Sequence, residues 1–174
     1  MATWVALLRG VNVNGITVRS AELRSLFIEL GFADVRTILA SGNVVFTSPR
    51  SAADLKRTVE AGLRERFGYD AWIVLVTREA VAAGIAAFPF DAADADRQPY
   101  VIFGSDAGVL AELIAAAEGL DREVDPIARG DGVVYWNPVK GTTVDTPFGK
   151  LLSRRAYRET TTNRNLRTLQ KIVG

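Results

Sequence analysis

The order of apolar periods in the first 76 residues limits the fold more than any other feature of this 174-residue chain. The largely apolar run from Thr3 to Leu8 reads as a strand. A stripe of helical spacing follows (Leu23, Leu26, Phe27, Leu30), with Ser20 placed to cap it and Gly31 to end it. Val35–Leu39 and Asn43–Thr47 are two strands joined by the turn "ASGN", which makes a hairpin. Ser51 opens a second helix, with Asp54 three residues on as in a capping box. Its stripe is Leu55, Val59, Leu63 and Phe67, and Gly68 stops it. "WIVLV", Trp72–Val76, is a continuous apolar strand, predicted to be buried on both faces. Strand, helix, strand, strand, helix, strand is the split ferredoxin-like unit.

The remaining residues repeat that order. A short helix over Arg78–Ala87 and the acidic "FPFDAADADRQP" form the connection. Tyr100–Gly104 is a strand, and Leu110, Leu113, Ile114 and Ala117 mark a helix ended by Gly119. Arg122–Arg129 and Val133–Trp136 form a hairpin turning at "GDG". Thr146-Pro147 starts a helix, since proline suits its first position. Tyr157–Thr161 closes the unit as a strand, and Asn163 caps a last helix through Val173. The predicted class is α+β: a duplicated ferredoxin-like (βαββαβ) α/β plait, two half-domains with antiparallel sheets, over residues 1–77 and 78–174. Trp4, Ala6 and Leu8 would lie on one face of the first sheet and Val5 and Leu7 on the other. Both faces are apolar, so both are predicted to be covered, by the second half or by a partner subunit.

Composition removes several chemistries. There is no cysteine and no histidine. Thiol nucleophiles, thiolate metal sites, histidine bases and imidazole ligands are all excluded. Any catalysis would rest on positioning and charge stabilisation. "DAADAD" lacks the glycine and bidentate glutamate of a calcium loop. Asp121, Glu123 and Asp125 alternate at strand spacing, on a face predicted to be exposed. No metal and no cofactor is called for. No apolar run reaches the roughly 18 residues of a membrane span, and "MATWVALLRG" lacks the basic start of a signal peptide. A cytoplasmic protein is the expectation. Charge is uneven: residues 150–174 hold seven basic residues against Glu159 alone, a net +6. That leaves −5 for residues 1–149 in a chain of net +1.

Three polar clusters carry the functional reading. In "LLRGVNVNG", Gly10 and Gly15 have Walker-loop spacing, but Ile16 and Thr17 stand where lysine and serine or threonine are needed. What survives is a turn rich in glycine and asparagine that can form an anion-binding nest, beside Arg9, which can grip phosphate or carboxylate in two places. The bland alternative is a structural ion pair at Arg9 and asparagines that close the loop on itself. In the split unit the hairpin holding Ser41, Gly42 and Asn43 shares a sheet edge with that loop. It should therefore sit close to Arg9 and Asn12, with Thr37 facing the same rim. The third cluster, "TTTNRNLRT" (Thr160–Thr168), suits anion binding at a helix start; alternatively Thr162 or Asn163 caps the helix while the arginines are solvated. An RNA-binding module shares this topology, yet Trp4 and Phe46 match its aromatic signature poorly and are predicted to be core.

Together "ALLRGVNVNG", "TILASGNVVF" and "TTNRNLRTLQKI" resemble the bacterial family catalogued as domain of unknown function 1697. The resemblance spans nearly the whole chain. It implies the duplicated ferredoxin-like architecture and no established activity. Its pattern falls on Arg9, Gly10, Asn12 and Gly15; on Thr37, Ser41, Gly42 and Asn43; and on Thr162, Arg164, Asn165 and Thr168. Asn14 stands where the family has glycine and Leu166 where tryptophan is common. The functional expectation is a small anionic ligand, a nucleotide or phosphorylated metabolite, held where the first two loops meet the last helix start across the two halves. Arg9 and Arg164 grip charge, while Asn12, Ser41, Asn43 and Asn165 orient the ligand. The alternatives are nucleic-acid binding through the basic C-terminal segment and a non-catalytic structural or interaction module.

Overall fold

The structure, a computed structural model, describes residues 1–9, 17–39 and 42–174. The chain is α+β, two four-stranded antiparallel sheets with helices, as expected of a duplicated ferredoxin-like fold. It divides into two compact units, Met1–Ala82 with Gln170–Gly174, and Ala83–Leu169.

In the first unit the elements are β1 (Ala2–Arg9), α1 (Ser20–Glu29), β2 (Ala33–Ile38), β3 (Asn43–Ser48), α2 (Ala52–Phe67), β4 (Trp72–Thr77) and the start of α3 (Arg78–Ala86). The sheet order is β2-β3-β1-β4, with every neighbouring pair antiparallel. One face packs on the helices: Ala6, Leu8, Val44, Phe46 and Ile73 join Phe27, Leu55, Val59 and Leu63 in one core. Phe46 sits edge-on to Phe27 at 5.3 Å and stacks on Phe32 at 4.6 Å. Trp4 is half-buried against that core. On the other face Val5, Leu7, Val45 and Val74 are also buried.

Local chemistry explains most boundaries and corrects some. Ser51 caps α2 by accepting from the Asp54 amide at 3.3 Å, and Gly68 ends it in the left-handed region at φ +70°. Ser20 is no cap: it is the first helical residue, and Arg19 holds the cap position without a side-chain bond. Strand β2 begins at Ala33 and stops at Ile38, because Leu39 has φ +57°. A bulge between Ala33 and Arg36, beside Asp34 at φ +51°, bends it. Strand β4 is at the edge of its sheet, so only Ile73 and Val74 are buried, and burial on both faces does not extend to its C-terminal half.

The second unit contains the rest of α3, β5 (Tyr100–Gly104), α4 (Ala107–Ala116), β6 (Ile127–Arg129), β7 (Val134–Trp136), α5 (Pro147–Leu152), α6 (Arg155–Arg158), β8 (Thr161–Asn165) and the first turn of α7 (Leu166–Val173). Its sheet order, β6-β7-β5-β8, repeats the first. Thr146 caps α5 by accepting from the Gly149 amide at 3.0 Å, with Pro147 in the first turn. Two expectations are corrected. Arg122–Asp125 is a turn, with the Asp125 amide on the Asp121 carbonyl at 2.9 Å, so Asp121, Glu123 and Asp125 share no strand face. Residues 155–158 are helical, and the closing strand is Thr161–Asn165. Asn163 therefore pairs with Ile102 inside the sheet, and Asn165 opens the helix by accepting from the Arg167 amide at 2.9 Å.

Candidate functional site

The rim of the first unit is built by the ends of three strands. In the β1–β3 register Leu7 lies opposite Asn43, and the Leu8 amide donates to the Gly42 carbonyl at 2.9 Å. The hairpin therefore meets the C-terminal end of β1 at one edge, as the split topology requires. Gly42 has φ +80°, a conformation that favours glycine. Asn43 is fully buried and its Nδ2 donates to the Ile38 carbonyl at 3.0 Å, so this side chain shapes the hairpin. Thr37 is half-buried on β2, opposite Val44. Arg9 is half-buried at the last position of β1, opposite Trp72 of β4. Gly10, Asn12, Gly15 and Ser41 lie outside the described residues.

Two residues at this rim escaped the sequence reading. Lys56 reaches from α2 to the Ile73 carbonyl at 2.5 Å, and its ammonium lies 5.9 Å from the Trp72 ring. Trp72 in turn faces Arg9 across the strand pair, and residues so paired share one face of a sheet. A cation and an aromatic ring thus stand beside the end of β1. The signal for Lys56 was its place on α2 one residue after Leu55, beside the buried stripe; no local motif marks it. Glu60 balances its charge at 3.0 Å.

In the second unit the predicted cluster lies mostly on β8. Arg164 is nine-tenths buried and donates through Nη1 to the Thr162 hydroxyl at 2.6 Å and to the Asn163 carbonyl at 3.0 Å. Thr162 is itself buried. Asn165 is half-buried, its amide oxygen engaged by the helix start, and Thr168 is half-buried on α7. Thr162 and Arg164 share a face by alternation along the strand. Arg9 and Arg164 belong to different units.

Among the described residues no cluster of three or more carboxylates could hold a metal ion, and no helix is long and apolar enough to cross a membrane. The model of the family described as "Protein of unknown function (DUF1697)" matches residues 1–135. The chain belongs to this family. The conserved bacterial protein SP0830 from Streptococcus pneumoniae, a solved structure, is similar to it at 27% identity and a TM-score of 0.84. That match covers 99% of this chain and 97% of the other. No curated protein gives a significant match. The first two motifs that carried the resemblance, with Arg9 and Gly42–Asn43, fall inside the matched DUF1697 span; the third, on β8 and α7, lies beyond it.

Proposed function

We propose that this DUF1697 member binds a small anionic ligand, a nucleotide or phosphorylated metabolite, in the cytoplasm. The observation that carries the reading is Arg9 at the last position of β1, with the Gly42 hairpin bonded to one side of that strand end and Lys56 on the outer edge of β4 on the other side. Arg9 supplies a planar, two-pronged grip for an oxyanion. Lys56 adds a second cation beside Trp72, the residue opposite Arg9. Gly10, Asn12, Gly15 and Ser41 complete the proposed set, and Thr162, Arg164, Asn165 and Thr168 are proposed as an anion-facing set of the second unit. The test is a thermal-shift screen of nucleotides and inorganic phosphate, joined to mass spectrometry of small molecules retained through gentle purification. A ligand that raises the melting temperature of the wild type and not of Arg9→Ala is the expected result. A ligand that stabilises Arg9→Ala equally removes Arg9 from the site. No stabilising or retained anion at all overturns the reading.

A second reading rests on a separate observation: Lys150, Arg154, Arg155, Arg158, Arg167 and Lys171 are exposed, while Arg164 is buried. These side chains would contact nucleic-acid phosphates, and affinity for a duplex or single strand would fall steeply with salt. Arg155 is partly neutralised by Glu159 at 3.2 Å. A salt-independent or absent association removes this reading.

A further inference from the structure

The outer edge of β4 is occupied by two side chains of α2. The Ile73 amide donates to Glu60 Oε2 at 3.0 Å, and the Ile73 carbonyl accepts from Lys56 Nζ at 2.5 Å. Lys56 and Glu60 bind each other at 3.0 Å, a turn apart on the helix. The ladder explains why Ile73 needs them. Ile73 lies opposite Leu8, and the Leu8 amide points the other way, to Gly42. The Leu8–Ile73 pair is therefore of the type that exchanges no ladder bonds, and the Ile73 backbone groups point away from β1. Along β4 the same holds for Leu75 and for the amide of Thr77, two and four residues on. The Thr77 carbonyl belongs to the start of α3, whose Ala80 amide the Thr77 hydroxyl caps at 3.1 Å. Among the described residues β4 has one strand neighbour, β1. "WIVLVT" is apolar and rich in β-branched residues, the composition that adds strands readily when an edge is bare.

We propose that Lys56 and Glu60 form a clip that closes the edge of β4 against strand addition, and that its removal opens this edge to a second copy of the chain. An antiparallel pairing of two β4 strands centred on Leu75 is self-complementary: Leu75 of one copy meets Leu75 of the other, and the Ile73 carbonyl of each meets the Thr77 amide of the other, leaving the Ile73 amide outside the ladder. With the clip in place the Ile73 carbonyl is already taken by Lys56, and the pairing loses its outer rungs. The Lys56 ammonium sits on this edge, 5.9 Å from the Trp72 ring, so it also obstructs the approach of a strand. Glu60 keeps only 13% of its side-chain surface, which holds its carboxylate on the Ile73 amide instead of leaving it in solvent.

The experiment compares the wild type with Lys56→Ala/Glu60→Ala by light scattering over a concentration series and by amide exchange at Ile73. The expected result is a mass that rises with concentration above that of the wild type, with Ile73 exchange faster by about tenfold. Because the chain contains no cysteine, Leu75→Cys in the clip-free background should form an intermolecular disulfide that it does not form in the clipped background. A clip-free protein with wild-type circular dichroism, wild-type mass at every concentration and unchanged Ile73 exchange overturns the proposal. So does association with no preference for the Leu75→Cys link. Where the double alanine variant does not fold, Lys56→Met keeps the stem, frees the carbonyl and is read by the same two measurements.

Discussion

Tyr69 packs against the first core with its hydroxyl buried and, among the described residues, without a hydrogen-bond partner. Burial pushes its phenol up to about 12. The folded value lies above that of the unfolded chain, near 10. The fold therefore favours the neutral phenol: this contribution is whole below about pH 10 and is lost as pH rises toward about 12. Tyr69→Phe removes a buried group that gave up water for nothing. Its urea stability at neutral pH should equal that of the wild type or exceed it by up to about 1 kcal/mol, and the gap should widen at about pH 11. Asp125 is the opposite case. It is fully buried, with one oxygen on Trp136 Nε1 at 2.9 Å and the other on the Phe148 amide at 3.1 Å. Asp125→Ala leaves both donors unpartnered and should cost about 3 kcal/mol in urea unfolding. Its role was illegible in the sequence because its partners lie 11 and 23 residues downstream, while the local alternation with Asp121 and Glu123 suggested an exposed strand.

At the scale of single elements, what was legible is what neighbours within four residues decide. Ser51 was readable as a cap and Thr146-Pro147 as a helix start because each closes on an amide three residues ahead. The closing strand was not, because pairing with β5, some 60 residues earlier, selects Thr161–Asn165 over the more apolar Tyr157 segment. Helix α2 has a charge device at its start. Arg50 Nε donates to Asp54 Oδ2 at 2.6 Å and holds that carboxyl below its usual range, with Arg57 adding to the effect. A folded value below the unfolded one gives stability that is present above about pH 4 and lost as pH falls through the folded value. Asp54→Asn should therefore flatten the acid limb of the stability profile, measured by thermal unfolding between about pH 5 and pH 2. Both side chains keep 37% of their surface exposed, so salt should weaken the difference. In α5 the constraint is space. A Cβ at Gly149 would lie 1.9 Å from the Thr143 carbonyl oxygen, so Gly149→Ala forces backbone apart and should cost about 3 kcal/mol in urea unfolding.

Over the whole molecule, the repeated pattern of periods revealed two plaits, and the two identical strand orders follow from it. Where the chain ends up was not legible. Helix α7 starts in the second unit, but Gln170–Gly174 belongs to the first. There Arg36 Nη2 donates to the Ile172 carbonyl at 2.8 Å, Arg78 donates to the Val173 carbonyl, and Ile172 is fully buried. Amphipathic spacing shows that Ile172 is buried but not against which residues, since a stripe carries no address. The first plait thus depends on five residues that follow the second in sequence. Ile172→Ala should cost about 2–4 kcal/mol, and the loss should appear mainly in the first unit. Amide exchange followed by mass spectrometry separates the cases. Peptides from β1, β3 and β4 should exchange faster in Ile172→Ala, while those from β5 and β7 keep wild-type rates. Equal acceleration in both sets would mean that the units unfold as one cooperative body. Acceleration confined to β5 and β7 would assign the last turn to the second unit instead.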